Sequence, residues 1–238
     1  MDRKGFEIIR QVIPSEEAKR CATRALEEME TRNNMSHSDT IWNLRTHPSV
    51  LSLFRRLWNT EDIVTGFDGI GVSHGDFVLP WHVDQERHSA TCIGIQGIMA
   101  LSRHDATTGG ISLISGTHKQ HSSVVVPNDA HEWEYQEMDV TRYMGSMDVM
   151  TPMLAPGDMC VWDSRTCHCV RVGSGSSRRI TAYLSFEPRA HVTSEVARRR
   201  RRAVTEGIAT THWASRFVDR EDARFPPTSI TADMRRIV

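Results

Sequence analysis

The sequence predicts a mainly β (α+β) fold, a sandwich or barrel of short strands with helices before and after it. Three observations carry that prediction. Between residues 61 and 190 the apolar runs are short and strand-like, and Gly, Asp, Asn and Pro sit between them. Many short strands at this density suit a sandwich or barrel. Residues 1–60 instead carry apolar residues at helical spacing, and helical character returns in residues 191–238, after Pro188. No linker divides the chain. The 238 residues therefore read as a single domain, 1–238: helical support (1–60), a β core (61–190), and a C-terminal helix and tail (191–238).

Taken in order, residues 15 to 32 read as the first helix. Ser15 can cap its start, and Glu16 and Glu17 suit the positive end of the helix dipole. Ala18, Cys21, Ala22, Ala25 and Met29 recur on one face, and Asn33-Asn34 ends the helix. A second helix is predicted across His47 to Trp58, with Val50, Leu51, Leu53, Phe54 and Leu57 as its apolar face. Strands follow at Ile63 to Phe67, Gly69 to Ser73, Cys92 to Leu101, Ile111 to Ile114, Met159 to Trp162 and Ile180 to Phe186. The last helix runs from Thr193 to about Glu206.

Composition narrows the function. Lys plus Arg is 29 and Asp plus Glu is 30, a formal net charge of -1, so a basic nucleic-acid surface is not predicted. No apolar stretch reaches the length of a membrane span, and no apolar run follows the start. Five unevenly spaced cysteines do not form a disulfide framework, which points to a reducing, cytoplasmic location. The predicted partner is a small-molecule substrate, with no nucleic acid and no membrane.

Twelve histidines stand out. In Trp81-His82-Val83-Asp84-Gln85, His82 and Asp84 share one face of an extended segment and can reach one point, as a pair of metal ligands. A second segment, Pro156-Gly157-Asp158 through Trp162-Asp163-Ser164-Arg165-Thr166-Cys167-His168, leads from a turn through an apolar strand to another histidine. Two histidines and one carboxylate form the facial triad of non-haem Fe(II) oxygenases, which leaves positions open on the metal. Arg178 and Arg179 then open a strand, where an arginine can pair bidentately with a carboxylate. Alternation puts Arg178 with Ile180, Ala182 and Leu184, and Arg179 with Thr181, Tyr183 and Ser185, a plausible polar interior.

These pieces, with Gly109-Gly110-Ile111-Ser112-Leu113-Ile114-Ser115-Gly116-Thr117-His118-Lys119 between them, occur in the order found in the phytanoyl-CoA dioxygenase family, which the sequence resembles from about residue 60 to 190. That family is a branch of the Fe(II)/2-oxoglutarate-dependent dioxygenases. The resemblance implies a double-stranded β-helix, or jelly roll, with flanking helices. It implies Fe(II) held by His82, Asp84 and His168, and 2-oxoglutarate as cosubstrate with its distal carboxylate on Arg179. Gln96 is a further candidate for a cosubstrate contact. The eleven positions from His168 to Arg179 match the family's spacing. Some relatives place a small hydroxyl residue two after the distal histidine, where this chain has Val170. The implied activity is hydroxylation of a small organic substrate with release of succinate and CO2. A carboxylate at 84 favours this over halogenation, since related halogenases lack it. The alternatives are a jelly-roll binding protein with a lapsed site and a cupin-type metalloenzyme. An intact triad with Arg179 argues against the first. Cupins usually place two histidines close together in the first motif, so Asp84 argues against the second.

Other residues read more plainly. Cys160, Cys167 and Cys169 lie near His168, yet alternation turns Cys167 and Cys169 away from it and C-x-x-C spacing is absent, so zinc is not predicted. His118 reads as structural. His74, His88 and His104 can line the mouth of the site, though surface positions are their default. Arg198 to Arg202 reads as a solvated helix with some stems packed down. Trp213, beside His212, reads as an anchor for the tail. The stretch Pro127 to Met153, with Trp133, Tyr135 and Tyr143, reads as a lid, and Ser102 to Gly109 as a second substrate-determining loop.

Overall fold

Alternation along three neighbouring strands organises the molecule. In the computed structural model, which describes residues 1–32, 34–74, 77–86, 91–124, 136–137, 148–218, 220–224 and 228–238, one face of these strands packs on helices. The other face meets a second sheet. The chain runs β1 (Phe6–Ile9), α1 (Ser15–Met29), α2 (Asp39–Arg45), α3 (Pro48–Trp58), β2 (Ile63–Thr65), β3 (Ile70–Ser73), β4 (Leu79–Val83), β5 (Ile95–Ala100), β6 (Gly110–Ile114) and a 3-10 turn at Thr117–Gln120. It continues through α4 (His121–Val124), β7 (Gln136–Glu137), β8 (Val149–Met150), β9 (Met159–Asp163), β10 (His168–Arg171), β11 (Arg179–Pro188) and a 3-10 turn at Arg189–His191. It ends with α5 (Ser194–Glu206), β12 (Ile208–Ala209), β13 (Arg220–Arg224) and α6 (Ala232–Ile237).

Two antiparallel sheets carry the fold. The larger has the order β1-β9-β5-β11-β2, with β3 also paired to β11. The smaller has the order β7-β4-β10-β6-β8. A short β12-β13 ribbon stands apart. From the larger sheet, Met99, Met159, Val161, Ile180, Ala182, Leu184 and Phe186 join the apolar residues of α1, α2, α3, α5 and α6 in one buried cluster. The opposite faces of the same strands, with Ile98, Ala100, Cys160 and Trp162, meet Ile111 and Leu113 of the smaller sheet in a second cluster. The period of two thus sorts each strand into a helix-facing side and a sheet-facing side.

The helices and strands that the sequence predicts lie within a few residues of α1, α3, α5, β2, β3, β5, β6, β9 and β11, whereas β1, α2, α4, β7, β8, β12, β13 and α6 are not among them. The first helix is shorter than 15–32: it ends at Met29, where Glu30 N–H bonds to Glu27 O and tightens the last turn. Pro14, not Ser15, takes its N-cap position, with no side-chain cap. α3 is capped by His47, whose Nδ1 accepts from Ser49 N–H, and it stops at Asn59 in the left-handed region. α5 is capped by Thr193 and ends at Gly207, with φ 67°.

The arginine run is partly an interior feature. Arg198, Arg199, Arg201 and Arg202 are exposed, but Arg200 is fully buried. Its guanidinium lies 3.9 Å over the Phe67 ring and donates to Trp213 O and Thr65 O. From the other direction, buried Arg45 lies 4.7 Å over Trp42 and 5.6 Å from Phe67 and donates to Ser36 O and Asp68 O. These two cations satisfy backbone carbonyls of three separate segments, at Ser36, at Thr65 and Asp68, and at Trp213. Trp213 is buried, as an anchor would be.

The same region gives a stability test. A Cβ on Gly66 would come within 2.0 Å of both His212 O and Ser185 Oγ. Gly66→Ala should cost about 2 kcal/mol or more in urea denaturation. Gly110→Ala, whose Cβ would meet His104 Cβ at 3.9 Å, should stay within about 0.5 kcal/mol of the parent.

Candidate metal centre

Strand register builds the site. His82 of β4 stands directly opposite His168 of β10, and their rings lie 4.2 Å apart. Asp84 follows just past the end of β4. Its carboxylate oxygens lie 3.6 Å from His82 Nε2 and 3.3 Å from His168 Nε2. One ligand atom from each of the three lies within 4.8 Å of the others, close enough for one metal ion.

Both imidazoles are oriented from behind. His82 Nδ1 bonds Pro80 O at 2.7 Å, and His168 Nδ1 bonds Thr166 O at 2.9 Å. A carbonyl only accepts, so each Nδ1 carries the proton and each Nε2 lone pair is left for a metal. Burial, helped by the charge of His168, drives the His82 imidazole down to about 4. Burial alone would raise the Asp84 carboxyl, but His168, His212 and His82 outweigh it and hold the group below the usual carboxylate range. Neutral imidazole and ionised carboxylate are the forms a divalent cation requires.

The flanking motif residues brace these ligands. Gln85 Oε1 accepts from Ile93 N–H and from Ser164 Oγ–H, and its Nε2 donates to Thr91 O. Gln85 thereby ties the segment after Asp84 to the turn before β10. Within that turn Asp163 accepts from the Arg165 backbone N–H and its guanidinium. Thr117 Oγ1 accepts from Cys167 N–H at 2.9 Å, beside His168. His118 bonds Asp2 O, a structural role. The Pro156-Gly157-Asp158 turn is a clamp on the N-terminal segment: Asp158 accepts from Gln11 N–H, Ala155 N–H and the Arg10 guanidinium.

The triad opens into a cavity of about 240 Å³ between the sheets. Its wall includes Ile98, Trp162, Arg179, Thr181 and Tyr183 from the larger sheet, with Ile111 and Val170 from the smaller. Arg179 and Thr181 therefore do point inward, whereas Arg178 is exposed. Arg179 is buried, and its Nη1 has no hydrogen-bond partner among the described residues. Desolvation lowers its pKa from the ordinary guanidinium value.

His104 is a correction to the surface reading. It is buried in the same wall, with Nε2 3.3 Å from Ile180 O and 3.2 Å from Thr181 Oγ1. Because the Ile180 carbonyl accepts, Nε2 carries the proton. Thr181 Oγ1 can then accept from it and turn its own hydrogen to the cavity.

Gln96 shares the inward face of β5 with Ile98 and is buried, but it is not part of the cavity wall. His74 is exposed beside an adjoining hollow that also reaches Arg179. His88, and Pro127 to Met153 with Trp133, Tyr135 and Tyr143, fall outside the described residues except for 136–137 and 148–153. Cys160, Cys167 and Cys169 are buried, and burial pushes the Cys160 thiol up to about 12. Among the described residues no group of candidate metal ligands includes a cysteine. Sequence reasoning missed two wall residues, Asp68 and His212. Neither sits in a motif, and chain folding alone brings them to the site.

Comparison with known proteins agrees with this geometry. The family model described as Phytanoyl-CoA dioxygenase (PhyH) matches residues 1–180. "Ava biosynthesis cluster protein O" of Aspergillus versicolor is 24% identical over 202 residues, 77% of this chain. The chain spans 66% of the length of that curated relative. Among solved structures, the epimerase SnoN in complex with Fe3+, alpha ketoglutarate and nogalamycin RO is similar with a TM-score of 0.64 and 17% identity, covering 79% of this chain and 80% of that one. EctD from S. alaskensis, solved with 2-oxoglutarate and 5-hydroxyectoine, has a TM-score of 0.63 and 13% identity, covering 79% and 74%. The likeness to these solved structures is one of fold.

The buried His104 makes stability depend on pH. Burial drives its imidazole down to about 4 in the folded protein, whereas an unfolded histidine titrates near 6.5. The unfolded chain takes up the proton first, so the stability is whole above about pH 6.5 and is lost as pH falls toward 4. In chemical denaturation of the metal-free protein, His104→Gln should flatten that slope by up to about 1.4 kcal/mol per pH unit.

Proposed function

Because the chain belongs to the phytanoyl-CoA dioxygenase family, we propose that it is a non-haem Fe(II)- and 2-oxoglutarate-dependent dioxygenase that hydroxylates a small organic substrate. The observation that carries this reading is one cavity wall holding two Nε2 atoms and a carboxylate within 4.8 Å, together with the unpartnered guanidinium of Arg179. We read the two sheets as the walls of a double-stranded β-helix, with the 238 residues as one domain and the helices as outer support. Five free cysteines fit a reducing, cytoplasmic setting. SnoN was solved with Fe3+ and alpha ketoglutarate and EctD with 2-oxoglutarate, which supports the same pairing here.

The donor set suits the metal. His82 and His168 would hold it through Nε2 and Asp84 through a carboxylate oxygen, all from one side, so that positions remain for the cosubstrate. With dioxygen, bound iron and 2-oxoglutarate supply the oxidising power for hydroxylation, releasing succinate and CO2. The rest falls to the protein. Arg179 Nη1–H and the Thr181 hydroxyl, two residues apart on one inward face, are donors for the distal carboxylate of 2-oxoglutarate. Thr181 offers a hydroxyl in the wall where Val170 offers none. His104 positions Thr181 by donating to its oxygen. Gln96, inward on β5, is the second candidate for a cosubstrate contact, which its amide Nε2–H would have to donate. Burial keeps water from these donors, which strengthens each charged contact.

Two measurements test the reading. Iron-loaded protein exposed to oxygen should form succinate from 2-oxoglutarate, and His82→Ala should not. Calorimetry with redox-inert Ni(II) should show Arg179→Ala weakening 2-oxoglutarate binding at least about tenfold and Thr181→Val about threefold, with Ni(II) affinity unchanged. Failure of the parent protein to bind 2-oxoglutarate with Ni(II) in place would contradict the proposal.

A further inference from the structure

Two side chains in the cavity wall are neither candidate metal ligands nor donors of the proposed cosubstrate pocket. Asp68 lies between β2 and β3, and His212 lies in the segment after β12, beyond the residues that match the family model. Both face the same cavity as the triad, and both act electrostatically on Asp84.

The Asp68 carboxylate makes no hydrogen bond or ion pair among the described residues, although burial raises its pKa. Only its backbone carbonyl is engaged, by Arg45. His212 Nε2 is buried without a partner. A third wall group, Trp162, is buried with an unpartnered indole Nε1–H. The buried His212 Nε2 and Trp162 Nε1–H, left unpaired, are costly unless something else bonds them, and the partly buried Asp68 carboxylate faces the same cavity.

Their positions are held firmly. Phe67 N–H donates to Thr211 O, Ser185 Oγ–H donates to His212 O at 2.8 Å, and Arg200 donates to Trp213 O. Ala214 N–H bonds the buried Glu187 carboxylate. Phe77, Leu79, Ile111 and Val170 make the nearby wall apolar. A cavity with apolar walls and a few fixed polar groups is how small-molecule sites are built.

We propose that Asp68 and His212 form the substrate-recognition pair. They take an N–H or O–H donor, the amine or alcohol of a small and largely apolar molecule, and Asp68 repels carboxylates. This rests on the 2-oxoglutarate reading of the adjoining site and names the class of substrate that site takes. A protonated amine would donate to both groups, whereas an alcohol would donate to Asp68 and accept from His212.

The test uses full-length Ni(II)-loaded protein saturated with 2-oxoglutarate, with benzylamine, benzyl alcohol and benzoate as calorimetric probes. At least one of the first two should bind, and benzoate should bind more weakly. Asp68→Ala and His212→Ala should each weaken that binding at least about tenfold, while Ni(II) and 2-oxoglutarate affinities, measured first, stay at parental values. Asp68→Asn should weaken the amine as much as Asp68→Ala does but spare the alcohol, which separates the two sources of the donor. The proposal is overturned if the parent binds neither donor probe, if benzoate binds as tightly, or if the Asp68 variants stay within about twofold. Absence of 2-oxoglutarate binding in the parent would instead contradict the reading of the adjoining site.

Discussion

The register between β4 and β10 is the constraint on which the site depends. It sets His82 directly across from His168, with Asp84 carried just past the strand end. A slip of one residue would turn one histidine to the opposite face and leave two ligands where three are needed. β10 is held on both edges, by β4 and by β6, and its pairing with β4 shifts between His168 and Val170. The irregularity falls just after the ligand, where a strand can re-aim its side chains.

That register is itself held by contacts far apart in sequence. Gln85 and Ser164 bind each other across the mouth of the ligand loops, and Thr117 holds the backbone beside His168. Asp158 clamps the N-terminal segment beside β9. On the helix side, Arg45 and Arg200 grip Phe67 from two directions and so fix the segment that ends in Asp68. The ligands are thus positioned by backbone bonds and a packed outer layer, which suits a site that must keep its geometry while a substrate comes and goes.

How far the sequence reveals this depends on the length scale of the signal. His82 and Asp84 are legible because two residues on an extended segment must share a face. Arg179 is separable from Arg178 for the same reason, and the alternation holds through Thr181 and Tyr183. α3 is legible through its apolar face and its His47-Pro48 start. α2 is hidden because it is seven residues long and buried on most sides, so it shows no polar face. β1 is four residues long and gains its identity only by pairing with β9. His104, Asp68 and His212 are hidden for a different reason: they come from two separate loops and the C-terminal segment, and only tertiary folding brings them to one cavity. The arginine run reads from sequence as a solvated helix with some stems packed down, and so it is: four are exposed, while which one turns inward, Arg200, is set by tertiary packing.

The most direct test of the central claim is a crystal structure of the protein with Mn(II) and 2-oxoglutarate, grown without oxygen, with the metal located by anomalous scattering. The account predicts a single ion bonded by His82 Nε2, Asp84 and His168 Nε2, with the distal carboxylate of 2-oxoglutarate on Arg179 and Thr181. An ion elsewhere, or a distal carboxylate turned away from Arg179, would contradict it.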